Sequence, residues 1–372
     1  MLRATQLPMN RINAKGLLIE NADDLYQDTI TKLFRESKLS RADFQEKLTA
    51  KKEEIDQQFG ETLAAGYAEN YTIKFRKYHK NILDVQKAIA KIYEAPFTGY
   101  FSYLSTCHVI LNNLFKQLDA SVTNETDVVV ISLYGHLLRK ADQIGILLLN
   151  GYEDAAMIIW RAFFEFAITL KALAEQNNEQ LTRKFVRHQI HRSNRLRESY
   201  HKRLVPEGFD ALTDEEIRLS NAEMDQLIAD YGKSIAEGEY GWAEGIPGLK
   251  ARPTLINLEE LVSLGRYRPY YIFASGYTHA NFAVFDKINE NGTMRIERIK
   301  EIQPELDDFV DPMQVTLAVL EDVNAALMGL ISDDDEAQLN LDVLNNLYME
   351  LITFFQENND DPDAGGSTRP DL

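Results

Sequence analysis

Two apolar helical stretches of the chain each hold a polar pair four residues apart: Arg161 and Glu165 in AAMIIWRAFFEFAITLKALA, and Ser275 and His279 in PYYIFASGYTHANFAVF. That spacing puts each pair on one helical face. On a helical wheel Asp154, Arg161, Glu165 and Thr169 form a narrow stripe, while Ile159, Trp160, Phe163, Phe166, Leu170 and Leu173 cover the rest. Helices this apolar keep an arginine, a carboxylate, a hydroxyl and an imidazole either to face water or to build a small polar site. If the stripe is buried, a charge left without its partner costs roughly 3–5 kcal/mol, so partners are required, and Ser275 and His279 are the expected ones. Histidine exchanges protons near neutral pH, and beside a guanidinium it suits a phosphate site. The plainer alternatives are a surface ion pair worth about 0.3–0.5 kcal/mol and a hydrogen-bonded core histidine.

A second concentration of chemistry lies in LTRKFVRHQIHRSNRLRESYHKR, residues 181–203, with eight Lys or Arg, three His and one acid. Arg183, Lys184, Arg187, His188, His191, Arg192 and Arg195 read as a track for phosphate or RNA. The alternative is an internal clamp that neutralises acidic neighbours such as the helix expected at 213–230. His188, His191 and His201 have no carboxylate at metal-ligand spacing, and His-Glu-x-x-His, a Walker loop and G-x-G-x-x-G are all absent, so neither a metal nor a cofactor is expected. Without a G-x-S-x-G turn, Ser275 and His279 do not read as a nucleophilic triad.

The background against which these charges stand is acidic. A formal charge of −18 over 372 residues opposes general coating of nucleic acid or of an anionic membrane, although a local basic patch escapes that argument. The single cysteine, Cys107, excludes an internal disulfide framework, and no signal-peptide apolar region opens the chain, so a cytoplasmic protein with no membrane partner is expected.

Nearly every segment has helical period. Residues 20–58 read as two short helices broken near Ser40, whose hydroxyl can cap the second. Phe75, Tyr78, Ile82, Val85, Ile89 and Ile92 step by three and four as a heptad-like seam that Pro96 ends. A further helix near 100–118 leads to the polar SVTNETD, where a domain boundary is placed. Beyond it come an apolar helix at 128–149, the NGYED turn, the Arg161 helix running antiparallel to the first, the basic helix, and a capping-box start at Thr213–Glu216. A Gly- and Pro-containing loop holds Trp242, and Pro269 opens the helix of Ser275 and His279. Asn291-Gly292 within FDKINENGTMRIERI reads as a β-hairpin, and helices at 312–331 and 337–357 precede an acidic tail expected to be disordered. The expectation is an all-α chain: an N-terminal helical module at 1–122, a helical-bundle domain with a small hairpin insertion at 123–357, and a tail at 358–372.

LLLNGYEDAAMIIWRAFFEFAITLKAL, then the basic helix, Trp242, and Tyr271-x3-Ser275-x3-His279-Ala-Asn resemble a bacterial family of unknown function, number 5677, over about residues 128–330. That family's domain is similar in outline to HEPN domains. The resemblance implies a HEPN-like helical fold, with Arg161, Glu165, Tyr271, Ser275 and His279 as the shared site positions. HEPN relatives imply metal-independent RNA cleavage, by homodimers and in toxin or phage-defence systems. The chain departs from their hallmark in having no arginine with four to six residues between it and His279, so Arg161 would supply that charge from another helix. The expected function is that of an RNA-directed effector with ribonuclease activity. The alternative is a non-catalytic regulatory protein that acts through a partner bound by the 71–92 seam.

Overall fold

The computed structural model describes residues 22–69, 71–117, 124–279, 310–331 and 335–359, and among them every regular element is helical. The expected β-hairpin and the tail lie outside the described residues. The chain forms two compact units, Met1–Asp84 and Val85–Leu372. The division therefore falls earlier than a boundary in SVTNETD, because the helix before that linker packs into the second unit.

The first unit contains α1 (Ala22–Ser37), α2 (Arg41–Ala50), α3 (Lys52–Glu69) and the first part of α4 (Tyr71–Ile92). Ser40 caps α2 by accepting from the Asp43 amide at 3.3 Å, as its position predicts. Apolar burial is sparse: Phe59, edge-on to Tyr26 at 5.1 Å, is the one buried hydrophobic side chain among the described residues of this unit.

The second unit is a bundle built on α5 (Glu94–Gln117), α6 (Glu125–Leu149), α7 (Glu153–Gln176), α13 (Val310–Ile331) and α14 (Asp335–Asn359). Asn124 starts α6 by accepting from the amides of Thr126 and Asp127, at 2.6 and 3.2 Å. Asn150 and Gly151, the latter at φ 78°, turn the chain straight into α7, so the two helices run antiparallel. Asn177 closes α7 in the left-handed conformation at φ 39°. Between these helices lie Tyr100, Tyr103, Tyr134, Trp160, Phe163 and Phe164, all fully buried. A segment of α13, Asp311–Leu330, is long and apolar enough to cross a bilayer, yet Leu317, Leu320, Val323 and Leu327 pack into this core. At Gly145 a Cβ would meet the rings of Tyr100 and Phe101 at 2.8 Å, so the glycine lets α5 and α6 approach.

Smaller helices surround α7. The basic segment forms two helices, α8 (Glu179–Arg187) and α9 (Gln189–Arg203), where the sequence predicts one; they meet at His188. Then come α10 (Asp214–Tyr231), with the expected capping box at Thr213 and Glu216, α11 (Leu255–Leu261) and α12 (Arg268–Thr278). Pro269 sits in the first turn of α12, where its missing N–H leaves no helical hydrogen bond unmade.

Candidate functional site

Helix α12 lies along α7 because its inner face is aromatic. Tyr271 meets Phe164 at 5.8 Å between ring centroids, and Tyr270 meets Trp160 at 6.2 Å. That packing carries the polar stripe of α7 to the end of α12. The Arg161 Nε donates to the Tyr271 hydroxyl at 3.1 Å, and that hydroxyl donates to Glu165 Oε1 at 2.8 Å. Glu165 also stands 3.5 Å from Arg161 Nε as an ion pair. The other end of the guanidinium reaches the last residues of α12: Nη1 donates to Thr278 Oγ1 at 2.8 Å and lies 3.3 Å from His279 Nε2.

The protons in this array follow from its donors. A guanidinium only donates, so a hydrogen bond to His279 Nε2 requires a neutral imidazole whose proton sits on Nδ1. Burial works against the charge on Arg161, but the Tyr271 and Glu165 contacts outweigh it and raise its pKa, so the group stays cationic. The Tyr271 hydroxyl is pushed up by burial and then by the carboxylate of Glu165, and stays a phenol. The Tyr271 ring also carries the Arg268 guanidinium at 5.0 Å in addition to that of Arg161 at 5.1 Å. Arg268 in turn pairs at 3.0 Å with Glu259, whose side chain is 1% exposed.

Four sequence-predicted residues, Arg161, Glu165, Tyr271 and His279, thus converge across α7 and α12. They do so at the surface, with Tyr271 buried, Arg161 and Glu165 partly exposed and His279 exposed, so the polar site is an open corner and the stripe is not buried. Ser275 does not join them: its hydroxyl donates back to the Tyr271 carbonyl of its own helix at 2.7 Å. His279 is the residue that closes α12, where the sequence places it inside the helix. Thr278 and Arg268 were missed. Thr278 follows Tyr271 by seven residues, two helical turns along one stripe, which is the signal that could have found it.

The basic helices answer differently. Arg183 pairs with Glu125 and Glu179, Arg187 with Asp230, and Arg192 and Arg195 share Glu239. The Lys184 ammonium donates to the Glu244 carbonyl at 2.8 Å. His188 and His191 are buried, with ring centroids 5.4 Å apart. Burial, helped by Arg192 and His191, lowers the His188 pKa to about 4, and burial with Arg195 lowers that of His191. These side chains fasten α8 and α9 to α6, α10 and the 237–244 loop, which is the internal-clamp alternative. Among the described residues no three His, Cys, Asp or Glu side chains converge to hold a metal.

Residues 127–294, which include both helices of the site, match the model of a family of unknown function (DUF5677). No curated protein and no solved structure matches the chain.

Proposed function

We propose that the chain is an RNA-directed effector that cleaves RNA without a metal at the Arg161–His279 corner. The observation that carries this reading is the contact between the Arg161 guanidinium and the His279 imidazole at an exposed helix end. A phosphodiester entering the corner would draw the guanidinium onto its oxygens and free the Nε2 lone pair of His279. That imidazole can then take the proton of a ribose 2′-hydroxyl as the oxygen attacks the adjacent phosphorus, while the P–O5′ bond breaks, a 2′,3′-cyclic phosphate forms and water protonates the departing 5′-oxygen. Arg161 would balance the charge that builds on the pentacoordinate phosphorus, and the Glu165–Tyr271 relay would hold the guanidinium in place. The resemblance in outline to HEPN domains supports the same chemistry, with Arg161 acting from α7, and a role as a toxin or defence effector. The test is incubation of the purified chain with mixed-sequence RNA beside His279→Ala and Arg161→Ala: cleavage by the parent and its loss in both variants is expected, and equal cleavage by all three would refute the assignment.

One observation favours a second reading, a non-catalytic regulatory protein. Arg161, Tyr271, Thr278 and Glu165 satisfy one another within the cluster, as a structural pin between α7 and α12 would. A pin predicts that His279→Ala lowers the melting temperature, whereas a catalytic histidine can be removed with no loss of stability.

A further inference from the structure

The clamp on α8 and α9 holds one side of α9 and leaves the other open. Helix α10 runs back along α9, since Arg187 meets Asp230, Asn194 meets Ser220 and Tyr200 meets Asp210. Asn194, Arg197 and Tyr200 therefore mark the inner side of α9, with Arg197 Nη1 donating to Ser220 Oγ at 2.6 Å. At about 100° per residue, Arg192, Arg195, Leu196, Ser199, Lys202 and Arg203 fall within an arc of about 120° on the outer side. Every one of these side chains is exposed. At 1.5 Å per residue they extend about 16 Å along the helix.

Four cations on this ridge meet one carboxylate. Arg192 and Arg195 share Glu239, and these three side chains are 55%, 55% and 50% exposed, a setting in which an ion pair is weak and a phosphate can displace it. Lys202 and Arg203 make no ion pair among the described residues. Glu198 stands just outside the arc, with its carboxylate held by Asn194 at 3.0 Å.

The ridge adjoins the Arg161 corner. Arg192, Arg195, Leu196 and Glu239 line an open recess of about 450 Å³, a size that admits a nucleotide. Burial raises the Tyr240 pKa, and the charges that act on it next are those of Glu165 and Tyr271 in the corner and of Arg192 and Glu239 on the ridge, so one phenol lies within electrostatic reach of both. Cations in line, with no ring among them, fit the phosphates of a strand and leave its bases unread. A bilayer fits less well, because α10 begins at the same end of the helix pair with Asp214, Glu215 and Glu216, which an anionic surface repels.

We propose that the outer face of α9 binds the phosphate backbone of a single RNA strand that runs from the Arg161–His279 corner, with Lys202 and Arg203 on phosphates beyond the cleaved bond. The identity of the strand rests on the RNA reading of that corner, whereas the contact itself is with phosphate alone.

The test uses the full chain and a fluorescein-labelled 2′-O-methyl RNA of about 15 nucleotides, which lacks the attacking hydroxyl and so cannot be cut. Fluorescence anisotropy should show the parent binding with an affinity that falls as salt rises from about 50 to 200 mM. Lys202→Gln with Arg203→Gln should make the slope of log affinity against log salt shallower by about 1.4, about 0.7 for each lost phosphate contact, so that the parent loses about sevenfold more affinity over that range than the variant does. Lys91→Gln with Lys116→Gln removes the same charge from exposed positions on α4 and α5 and should leave the slope as it is. Circular dichroism confirms that each variant keeps its helices. Because the oligomer stays whole, a parent that fails to cleave RNA leaves a positive result standing, and cleavage beside binding that ignores Lys202 and Arg203 sinks the ridge alone. The proposal is overturned by a parent that binds no oligomer, or by a slope that ignores Lys202 and Arg203 or changes equally with Lys91 and Lys116. Capture of the chain by phosphatidylglycerol vesicles through Lys202 and Arg203, with no oligomer bound, overturns it too.

Discussion

Tyr271→Phe removes a single oxygen, and with it the two hydrogen bonds that this hydroxyl makes to Arg161 and Glu165 of α7. The ring keeps its volume and its place beside Arg161 and Arg268, so no cavity opens. What goes is the acceptor for Arg161 Nε at 3.1 Å and the donor to Glu165 Oε1 at 2.8 Å. Hydrogen bonds to charged groups contribute about 1.5–3 kcal/mol each when well buried. The Arg161 and Glu165 side chains are 26% and 37% exposed, so water recovers part of both bonds. The expected loss is about 1–2 kcal/mol, which for a protein of this size lowers the melting temperature by about 1–3 °C. Thermal and urea unfolding of Tyr271→Phe, Glu165→Gln and the double variant close a cycle whose coupling should be about 0.5–1.5 kcal/mol. A melting temperature within about 1 °C of the parent, together with zero coupling, would refute the claim that this hydroxyl bridges the two helices.

Three further outcomes follow from the surrounding structure. His188 is held at about 4 and His191 below its ordinary 6.5, so between those values the unfolded chain binds more protons than the folded one. Stability should therefore be full above pH 6.5 and drain away as pH falls toward 4; His188 alone should remove about 2 kcal/mol by pH 5, and His188→Asn should flatten the pH dependence of the urea midpoint. Arg268→Met strands the Glu259 carboxylate, 1% exposed, and should destabilise by about 3 kcal/mol in urea, with Glu259→Leu in the same chain restoring most of the loss. Gly145→Ala puts a methyl against two rings of α5 and should cost about 1–3 kcal/mol by the same assay, where a neutral result would show that α5 and α6 have room to spare.

The helices were legible because their signals are local. Ser40, Thr213 and Pro269 mark helix starts by their own chemistry, and the Asn150-Gly151 turn fixes α6 and α7 as antiparallel neighbours without knowledge of anything else. The pairing of Arg161 with His279 was legible for a related reason: a polar stripe on an apolar helix needs partners, and α12 carries a second stripe; Tyr271 was indicated only by the family resemblance. The clamp on α8 and α9 was only one of two alternatives, because Glu125, Asp230 and Glu239 lie about 40–60 residues from the arginines they hold, and local sequence contains no such distance. Ser275 was misjudged for a local reason, since a helical serine can spend its hydroxyl on the carbonyl one turn back. On α4, Phe75 and Tyr78 carry the seam's period yet prove exposed, because helical spacing alone does not say whether a neighbour covers that face.

The central claim is that Arg161 and His279 share one anion, and nuclear magnetic resonance of a chain with ¹⁵N-labelled histidines tests it most directly. Titration with uridine 3′-monophosphate should shift the His279 ring nitrogens saturably, and Arg161→Met should abolish that shift while the His188 and His191 signals stay in place. A His279 response that is absent, or that survives unchanged in Arg161→Met, would contradict the account.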